Sequence, residues 1–482
     1  MRLLKSILKT WRRNLFRTLV VDDFRSWRGI DLQIASWHLQ RFLASCDDSH
    51  NVGVMLPTSG LFPIAASAIW SLGKVVVPIN YLLSPTEIEY IIKDARLKSV
   101  ITVGPMIDMV GSLPDGVRAI LMNEMSISGF PPIRRIVQQE EDALAALLYT
   151  SGTSGRPKGV MLSGGNIRSN VEQCCQWSGF TKSDSFLGLL PQFHSFGFTV
   201  TTALPMSIGA KAVYSARFNP RKTFDLLRTH KPTAMLAIPS MFNALLNSKS
   251  GKSNDFASVR FAVSGGEALP DSVFEGMKEK FGLIINEGYG LTETSPVTNW
   301  CRPEEHRRGS VGRPITGVTE RIVDEFGVEL NPGEDGEVRI SGANIMMGYY
   351  HLPEETAAVF DDQGFFCTGD MGHIDEDGFL YITGRIKEML IIGGENVFPR
   401  EIEEVLTKHE SVSAAGVVGR PDPSRGEVAV AFVEVVDEAS FDEQSLRSWC
   451  RDRLASFKVP RAVILLEALP RNPTGKIMRR KL

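Results

Sequence analysis

The sequence lacks several features that would assign it to particular classes of protein. No apolar run approaches the roughly 18 residues that a membrane-spanning helix needs. The six cysteines show no metal-ligand spacing, so we expect reduced thiols in a cytoplasmic protein. A formal net charge of −3 gives no reason to expect a nucleic-acid-binding surface.

What the chain does have is length and an ordinary globular composition. Its 482 residues are too many for one core, and 43% of them are hydrophobic, so we expect two or more domains. Short apolar runs alternate with amphipathic segments from residue 52 to about residue 382. This alternation predicts α/β layers with largely parallel strands.

Residues 1–22 combine basic and apolar side chains, and we predict a basic amphipathic helix there. The bases are Arg2, Lys5, Lys9, Arg12, Arg13 and Arg17, and the apolar residues are Leu4, Ile7, Leu8, Trp11, Leu15 and Leu19. The apolar residues recur mostly at steps of three and four, which places them on one stripe of a helix. Such a helix suits an anionic membrane surface, or it docks on the protein body with its basic face in solvent. The sequence leaves both alternatives open.

A loop rich in glycine and hydroxyl groups follows the predicted buried strand at residues 143–148. Its candidate phosphate-binding residues are Thr150, Ser151, Gly152, Thr153, Ser154, Gly155 and Lys158. Glycine permits positive φ angles, so successive backbone N–H groups can point at one anion, and Lys158 adds a cation. The loop is not a Walker A motif, because neither Gly251-Lys252 nor Gly475-Lys476 has a glycine five residues before it. We therefore expect a different kind of polyphosphate site.

This loop resembles the phosphate-binding signature of the adenylate-forming superfamily, which includes acyl-CoA synthetases, firefly luciferases and peptide-synthetase adenylation domains. Four further blocks occur in the family's order: GYGLTE at 288–293, TGD at 368–370, GRIKE at 384–388 and PTGK at 473–476. The resemblance implies an α/β fold with a large N-terminal domain, built from two α/β subdomains and a distorted β-barrel. A small mobile α+β domain would follow. The implied domains cover residues 23–386 and 387–482, with a hinge near Lys387.

The resemblance also implies a nucleotide site drawn from distant segments. Glu293 would bind Mg²⁺ with help from Thr150, since this hard cation prefers oxygen ligands. The residues enclosing the adenine and the α-phosphate would be Gly266, Glu267, Glu287, Gly288, Tyr289, Gly290 and Thr292. Asp370 would accept hydrogen bonds from the ribose hydroxyls, with Arg385 beside it. Taken alone, Tyr289 would more often be a core aromatic, and an Asp after Gly such as Asp370 is usually a turn residue.

The C-terminal domain would serve two half-reactions in turn. In the first, Lys476 would bridge the carboxylate and the α-phosphate as negative charge builds, with Thr292 and Glu293 as its catalytic partners. Rotation about Lys387 would then withdraw Lys476 and bring Gly393 and Gly394 to the pantetheine tunnel. Without the resemblance, Lys476 would be a solvated lysine and the two glycines an ordinary turn.

The acid is less constrained. Where amino-acid-activating domains carry an Asp to bind an ammonium group, this chain has Phe193-His194, so no carboxylate awaits an amine. His194 is a candidate gate beside the acyl site or a structural histidine. The small residues 264–266 can admit a long chain, which favours a medium- or long-chain fatty acid.

The expected function is that of an ATP- and Mg²⁺-dependent acid:CoA ligase that forms an acyl-adenylate. One alternative acceptor is the thiol of an acyl carrier protein, which presents the same phosphopantetheine arm as CoA. An alternative of another class is an inactive, membrane-associated binding protein. We expect a cytoplasmic location, with peripheral contact to the inner face of a membrane if residues 1–20 bind lipid.

Overall fold

The computed structural model describes residues 1–125, 129–131, 135–151, 156–437, 441–471 and 477–482. The first part of the chain forms α1 (Arg2–Arg13), β1 (Thr18–Val21), β2 (Ser26–Arg28), α2 (Gly29–Cys46), β3 (Asn51–Met55), α3 (Leu61–Ser71), β4 (Val75–Pro78), α4 (Pro85–Asp94), β5 (Ser99–Thr102), α5 (Gly104–Val110) and β6 (Arg118–Leu121). The next part forms β7 (Leu144–Ser151), β8 (Pro157–Ser163), α6 (Gly164–Ser178), β9 (Ser185–Gly188), α7 (Ser195–Phe198), a π-helix (Thr199–Ala203), α8 (Leu204–Ile208), β10 (Lys211–Tyr214), α9 (Pro220–His230), β11 (Ala234–Ala237), α10 (Pro239–Leu246), β12 (Phe261–Ser264), α11 (Asp271–Phe281), β13 (Asn286–Gly290), a 3₁₀ turn (Thr292–Thr294) and β14 (Val297–Trp300).

The remaining elements begin with a 3₁₀ turn (Pro303–Glu305), β15 (Val318–Val323), β16 (Gly336–Gly342), β17 (Gly348–Tyr349), α12 (Pro353–Ala357), β18 (Phe366–Ile374), β19 (Leu380–Arg385) and a 3₁₀ turn (Ile386–Glu388). After that turn come β20 (Leu390–Ile392), β21 (Glu395–Val397), α13 (Pro399–Thr407), β22 (Val412–Asp422), β23 (Gly426–Val435), α14 (Glu443–Arg451), β24 (Ala462–Leu465) and a 3₁₀ turn (Arg479–Lys481).

Two large sheets confirm the predicted α/β layers. An eight-stranded sheet has the order β14-β13-β12-β11-β9-β10-β1-β2, and a seven-stranded sheet has the order β17-β8-β7-β4-β3-β5-β6. Their central strands are parallel, whereas antiparallel pairs close the edges at β1–β2, β13–β14, β7–β8 and β8–β17. Buried strands such as β3 and β4 are apolar on both faces, as expected where helices cover both sides of a parallel sheet.

Two smaller sheets complete the fold. Strands β15-β16-β18-β19 form an antiparallel sheet where the resemblance implied a distorted barrel, and among the described residues this sheet is open. Strands β20–β24 form the sheet of the small α+β domain, with α13 and α14. The hydrophobic cluster of this domain lies between Leu390 and Val463 and is separate from the clusters of the larger domain. Lys387 lies in the 3₁₀ turn between the two units, and its role as the hinge stays a prediction.

The N-terminal helix docks on the protein body. Its apolar stripe, from Leu3 to Trp11, is buried in the main core cluster, and its bases Lys5, Lys9, Arg12 and Arg13 are exposed. The helix is shorter than the predicted 1–22, because it ends at Arg13 and residues 18–21 form β1, which pairs with β10 and β2. The β-branched residues Thr18, Val20 and Val21 favour this strand. Among the helices of the described residues, none combines the length and hydrophobicity needed to cross a bilayer.

Candidate active site

The strands on either side of the predicted phosphate loop form one antiparallel hairpin. Thr150 on β7 is the register partner of Lys158 on β8, so the two ends of the loop lie side by side. Gly152, Thr153, Ser154 and Gly155 lie outside the described residues, and the side chain of Ser151 is not described. Their phosphate contacts therefore stay predictions, whereas the structure describes the position of Lys158.

Lys158 points towards the segment that follows β17. Its Nζ forms an ion pair with Glu355 on α12 and lies 5.1 Å from the centre of the Tyr349 ring. The Lys158 side chain is 20% exposed, so its charge is partly withdrawn from water. A cation held this way at the end of a glycine-rich loop can exchange its carboxylate partner for a phosphate group.

Glu293 lies in a 3₁₀ turn that is tied to the same segment. The hydroxyl of Tyr349 donates to Glu293 Oε1 at 2.9 Å, and the backbone N–H of Met346 donates to the Glu293 carbonyl at 2.8 Å. Burial raises the pKa of the Glu293 carboxyl above its usual value, because the charged form loses contact with water. A nearby cation would offset that cost.

The donor set of this turn fits Mg²⁺. Mg²⁺ is commonly bound by one or two carboxylates together with phosphate oxygens and water, and Glu293 offers one partly buried carboxylate. In the described part of the chain there is no group of three or more His, Cys, Asp or Glu side chains placed to hold a metal. Thr150 was predicted to assist Glu293, and that role stays a prediction.

Asp370 is the centre of a charged cluster built from three of the sequence blocks. Its side chain is 3% exposed, its Oδ1 lies 2.8 Å from Arg385 Nε, and its Oδ2 accepts a hydrogen bond of 2.6 Å from the Tyr289 hydroxyl. Asp370 and Arg385 are register partners on β18 and β19, which explains their pairing. Burial, and then the adjacent carboxylate, raise the pKa of Tyr289 well above its usual value. Each carboxylate oxygen can still accept further bonds, as ribose hydroxyls would require.

Two glycine-rich segments meet at the carboxyl ends of neighbouring parallel strands. Ser264 on β12 and Glu287 on β13 are register partners, so the turn at Gly265 and Gly266 lies beside Gly288. A Cβ atom at Gly265 would lie 3.6 Å from the Gly288 carbonyl oxygen and 3.1 Å from Phe196 Cε1. Crevices at the carboxyl ends of parallel strands are the usual ligand sites of open α/β sheets.

Gly290 has a different reason to be glycine. A Cβ atom there would lie 1.8 Å from the carbonyl oxygen of Pro296, the residue just before the paired strand β14. The position therefore admits no side chain whether or not a nucleotide binds beside it. Part of the GYGLTE block is thus explained by chain packing.

Glu287 uses its carboxylate within the protein. It is 6% exposed, forms an ion pair with Arg308, and accepts backbone N–H bonds from Leu269 at 3.1 Å and Gly309 at 3.2 Å. Burial raises the pKa of Glu287, and Arg308 opposes that shift. These bonds fix the turn that contains Gly266 and Glu267, while direct contact of Glu287 with the nucleotide stays a prediction.

The helix that begins after His194 contacts the turn that contains Thr292. His194 caps the short helix α7, where its Nδ1 accepts from the Phe196 N–H at 3.4 Å. The next residue, Ser195, has its Oγ 3.1 Å from Thr292 Oγ1. The chain next to His194 is thus in contact with the turn that contains Glu293, and the His194 side chain is exposed. The capping bond agrees with a structural role, while the gating role stays a prediction.

The C-terminal candidates are only partly described. Lys476 lies outside the described residues, but Arg471 and Ile477 pair across this segment, and the Met478 N–H donates to the Pro470 carbonyl at 2.7 Å. Gly393 and Gly394, with φ of 64° and 89°, form the exposed turn between β20 and β21. These angles require glycine for the turn itself, and the tunnel role stays a prediction.

Three side chains at the site were missed by sequence reasoning. Tyr349 contacts Glu293, Arg308 holds Glu287, and Arg479 joins the C-terminal tail to Glu388 and Glu403. Their partners are distant in sequence, so local patterns gave no signal for Tyr349 or Arg308. For Arg479 the only signal was its place just after the PTGK block.

Comparison with known proteins agrees with this geometry. The family model described as AMP-binding enzyme matches residues 17–350, and that of the AMP-binding enzyme C-terminal domain matches residues 401–476. A long-chain-fatty-acid–CoA ligase of Bacillus subtilis is 34% identical over 89% of this chain and 84% of its own length. A sulfoacetate–CoA ligase of Cupriavidus necator is 33% identical over 91% of this chain and 88% of its own.

A solved structure shares the whole fold. It is O-succinylbenzoate coenzyme A synthetase from Bacillus subtilis in complex with ATP and magnesium ion, which is 28% identical. It superimposes with a TM-score of 0.88 over 99% of this chain and 98% of its own. The chain therefore belongs to the AMP-binding enzyme family, as an AMP-forming acid–thiol ligase.

Proposed function

We propose that this ligase activates a medium- or long-chain fatty acid with ATP and transfers the acyl group to CoA. The observation that carries the ATP-dependent step of this proposal is the convergence of Tyr289, Asp370 and Arg385 from three separate blocks into one cluster. Such a cluster can grip the ribose and α-phosphate of a nucleotide. Activation of an acid by ATP follows from family membership, and the identity of the acid is the new element.

The surroundings of the glycine turn support an apolar acid. Cβ atoms at Gly265 and Gly266 would lie 3.1 Å from Phe196 and 3.7 Å from Ile238. Similarity to the long-chain-fatty-acid–CoA ligase of Bacillus subtilis also supports a fatty acid, although other relatives are named for sulfoacetate and 2-succinylbenzoate. An apolar wall binds an alkyl chain through the hydrophobic effect.

The reaction needs two displacements. A carboxylate oxygen attacks the α-phosphorus of ATP, the bond to the β-phosphate oxygen breaks, and pyrophosphate leaves. The thiol then loses its proton to water, its sulfur attacks the acyl carbon, and AMP leaves with the electron pair of the acyl–oxygen bond. Lys158 would hold the leaving phosphates, Asp370 the ribose, and Lys476 the charge that develops at the α-phosphate.

Magnesium, when bound, would neutralise phosphate charge beside Glu293. ATP, Mg²⁺ and CoA are thus the cofactor and substrates of the ligase, together with a small carboxylic acid. Transfer to the thiol of an acyl carrier protein remains the alternative second step, because the phosphopantetheine arm is the same. Supplying each acceptor to purified enzyme and acyl-adenylate, and quantifying the thioester, separates the two.

Membrane association has less support than the sequence suggested. The apolar stripe of α1 lies in the core, so the lipid-binding face predicted for residues 1–20 is occupied by the protein itself. Any contact with the inner face of a membrane would use the exposed bases of α1. A purely binding role would require that Asp370, Arg385 and Glu293 no longer support catalysis.

The test is acid-dependent ATP–pyrophosphate exchange across a panel of acids. We expect the greatest kcat/KM with medium- or long-chain fatty acids and little exchange with short-chain acids, sulfoacetate or 2-succinylbenzoate. Greatest exchange with one of those other acids would overturn the fatty-acid proposal. Absence of exchange with every acid would favour the inactive binding protein.

A further inference from the structure

The segment from Met346 to Tyr350 joins the two halves of the phosphate site. On one side it pairs with the phosphate strand β8: the Met347 N–H donates to the Met161 carbonyl at 2.9 Å, and the Tyr350 N–H donates to the Gly159 carbonyl at 2.7 Å. On the other side the Met346 N–H donates to the carbonyl of Glu293 at 2.8 Å. This short segment therefore fixes the distance between the strand that bears Lys158 and the turn that bears Glu293.

The side chain of Tyr349 repeats this connection. Its hydroxyl donates to Glu293 Oε1 at 2.9 Å, and the centre of its ring lies 5.1 Å from Lys158 Nζ. The side chain is held in place, because the residue is 8% exposed and its N–H donates to Thr356 Oγ1 at 2.8 Å. One side chain thus touches both an anion and a cation of the site.

The two contacts have different chemistry. A hydroxyl donor to a carboxylate orients that carboxylate and leaves lone pairs free for a cation. A ring beneath an ammonium group attracts it through the negative face of the π system, without supplying a competing charge. Glu355, which pairs with Lys158 from α12, does supply such a charge and must be displaced when phosphates bind.

We propose that Tyr349 is a positioning residue that holds Glu293 and Lys158 in a fixed mutual arrangement for magnesium-bound triphosphate. The hydroxyl orients the carboxylate that would bind the metal, and the ring holds the ammonium that would bind the phosphates. This inference rests on the proposed nucleotide site, but not on the identity of the acid.

The test separates the hydroxyl from the ring by direct binding measurements. Tyr349→Phe keeps the ring and removes the donor, whereas Tyr349→Leu removes both. Isothermal titration calorimetry measures the affinity of each variant for ATP with Mg²⁺ and for ATP with EDTA. Tyr350→Phe is the matched control, because its hydroxyl is 3.4 Å from Asn51 Nδ2 and not at Glu293.

We expect Tyr349→Phe to weaken Mg·ATP binding about tenfold, as loss of a hydrogen bond to a charged group typically does, and to leave metal-free ATP binding within about twofold. Tyr349→Leu should weaken both forms, since Lys158 also loses its ring. In Mg²⁺ titrations of ATP–pyrophosphate exchange, Tyr349→Phe should need about tenfold more Mg²⁺ than the wild type for half-maximal exchange. Tyr350→Phe should match the wild type.

A double-mutant cycle guards against a general folding defect. If Tyr349 acts through Glu293, then Tyr349→Phe combined with Glu293→Gln should bind Mg·ATP no more weakly than Glu293→Gln alone. Wild-type Mg²⁺ dependence in Tyr349→Phe, equal weakening of both forms of ATP, or additive losses in the cycle would each overturn the inference. Failure of the wild type to bind Mg·ATP would instead reject the proposed nucleotide site.

Discussion

Two charged clusters, one in each domain, show how similar groups serve different purposes. Around Asp370 a buried carboxylate meets a hydroxyl and a guanidinium whose side chain is 46% exposed. Around Arg479 the guanidinium donates from Nε and Nη2 to Glu403, at 2.9 and 2.6 Å, and from Nη1 to Glu388 at 2.5 Å. The first cluster presents an anion with acceptor capacity left over, which suits a ligand. The second cluster uses all three guanidinium nitrogens in bonds within the protein, which suits a structural role in holding the C-terminal tail.

The positions of the clusters agree with this contrast. Asp370 and Arg385 lie on β18 and β19 of the larger domain, where the nucleotide blocks converge. Arg479 lies in the tail after Ile477. Its ion pairs connect the tail to Glu388, in the 3₁₀ turn between the two units, and to Glu403 on α13. Glu403 is itself tied to β22 by the Val417 N–H at 2.7 Å. The second cluster thus secures the chain that leads to Lys476.

The largest effect should come from the residue that the second cluster supports. Lys476→Ala should lower acyl-adenylate formation about 10²–10³-fold, because one preorganised donor to a developing charge is lost. Pyrophosphate release in single-turnover experiments measures this step. Conversion of preformed acyl-adenylate to thioester is the internal control and should change little. Near-normal pyrophosphate release would contradict the role of Lys476 in adenylation, and with it the proposed purpose of the Arg479 cluster.

Within the first cluster, Asp370→Asn should lower exchange at subsaturating ATP about 10²-fold, since it weakens two charge-assisted bonds to the ribose. The sharper measurement compares ATP with 2′-deoxyATP. Wild-type enzyme should discriminate against the deoxynucleotide, and Asp370→Asn should discriminate much less. Equal discrimination in both enzymes would show that Asp370 serves only Arg385 and Tyr289, and the contrast between the clusters would fail.

Within the second cluster, Arg479→Gln should lower adenylation about tenfold by loosening the tail, with a smaller effect on thioester formation from acyl-adenylate. Arg479→Lys should resemble Arg479→Gln, because an ammonium group cannot reproduce the bidentate contact with Glu403. Single-turnover rates of both half-reactions measure the difference. Glu388→Gln removes one of the two carboxylate partners and should give an intermediate loss. Equal losses in both half-reactions would indicate that Arg479 supports the fold of the domain and has no specific effect on adenylation.

The smallest effect concerns Glu320, a carboxylate whose partner is an amide and which forms no ion pair with any residue that the structure describes. Asn299 Nδ2 donates to Glu320 Oε2 at 3.0 Å, and burial raises the pKa of Glu320 from 4.5 to about 8. The folded state therefore holds a proton that the unfolded state releases between these two pH values, so this group's stabilisation is lost as pH rises through that window. Glu320→Gln should flatten this part of the Tm–pH profile. Parallel Tm–pH curves for the two proteins would argue against a neutral Glu320.

The parts of the site that were predictable are those set by short motifs. Asp370 and Arg385 were assigned from Thr-Gly-Asp and Gly-Arg, and the hairpin register brings them together. The strand that leads to the predicted phosphate loop followed in the same way from one apolar run, while the loop itself stays a prediction. In contrast, Tyr349 and Arg479 act through partners 56 to 91 residues away, and the sequence carries no local sign of such pairs.

The N-terminal helix illustrates a different limit. Its periodicity was correct for Leu4 to Trp11, but an apolar stripe alone does not say what covers it, and here the covering surface includes α2, α3, α6 and α8. Its end was also misplaced, because the partner strand β10 lies almost 200 residues further along the chain. Long-range strand pairing therefore decided where the helix stops, against a continuing pattern of Leu15 and Leu19.

The separate core of the smaller domain bears on the predicted rotation between the two half-reactions. Because this domain has a buried cluster of its own, the predicted rotation about Lys387 would expose little of its interior and would mainly break surface contacts. One such contact is Lys408 Nζ with Asp271 Oδ2 at 3.3 Å, between half-exposed side chains, and ion pairs of that kind are weak in water and screened by salt. Ionic strength should therefore change the balance between the two predicted orientations of the smaller domain.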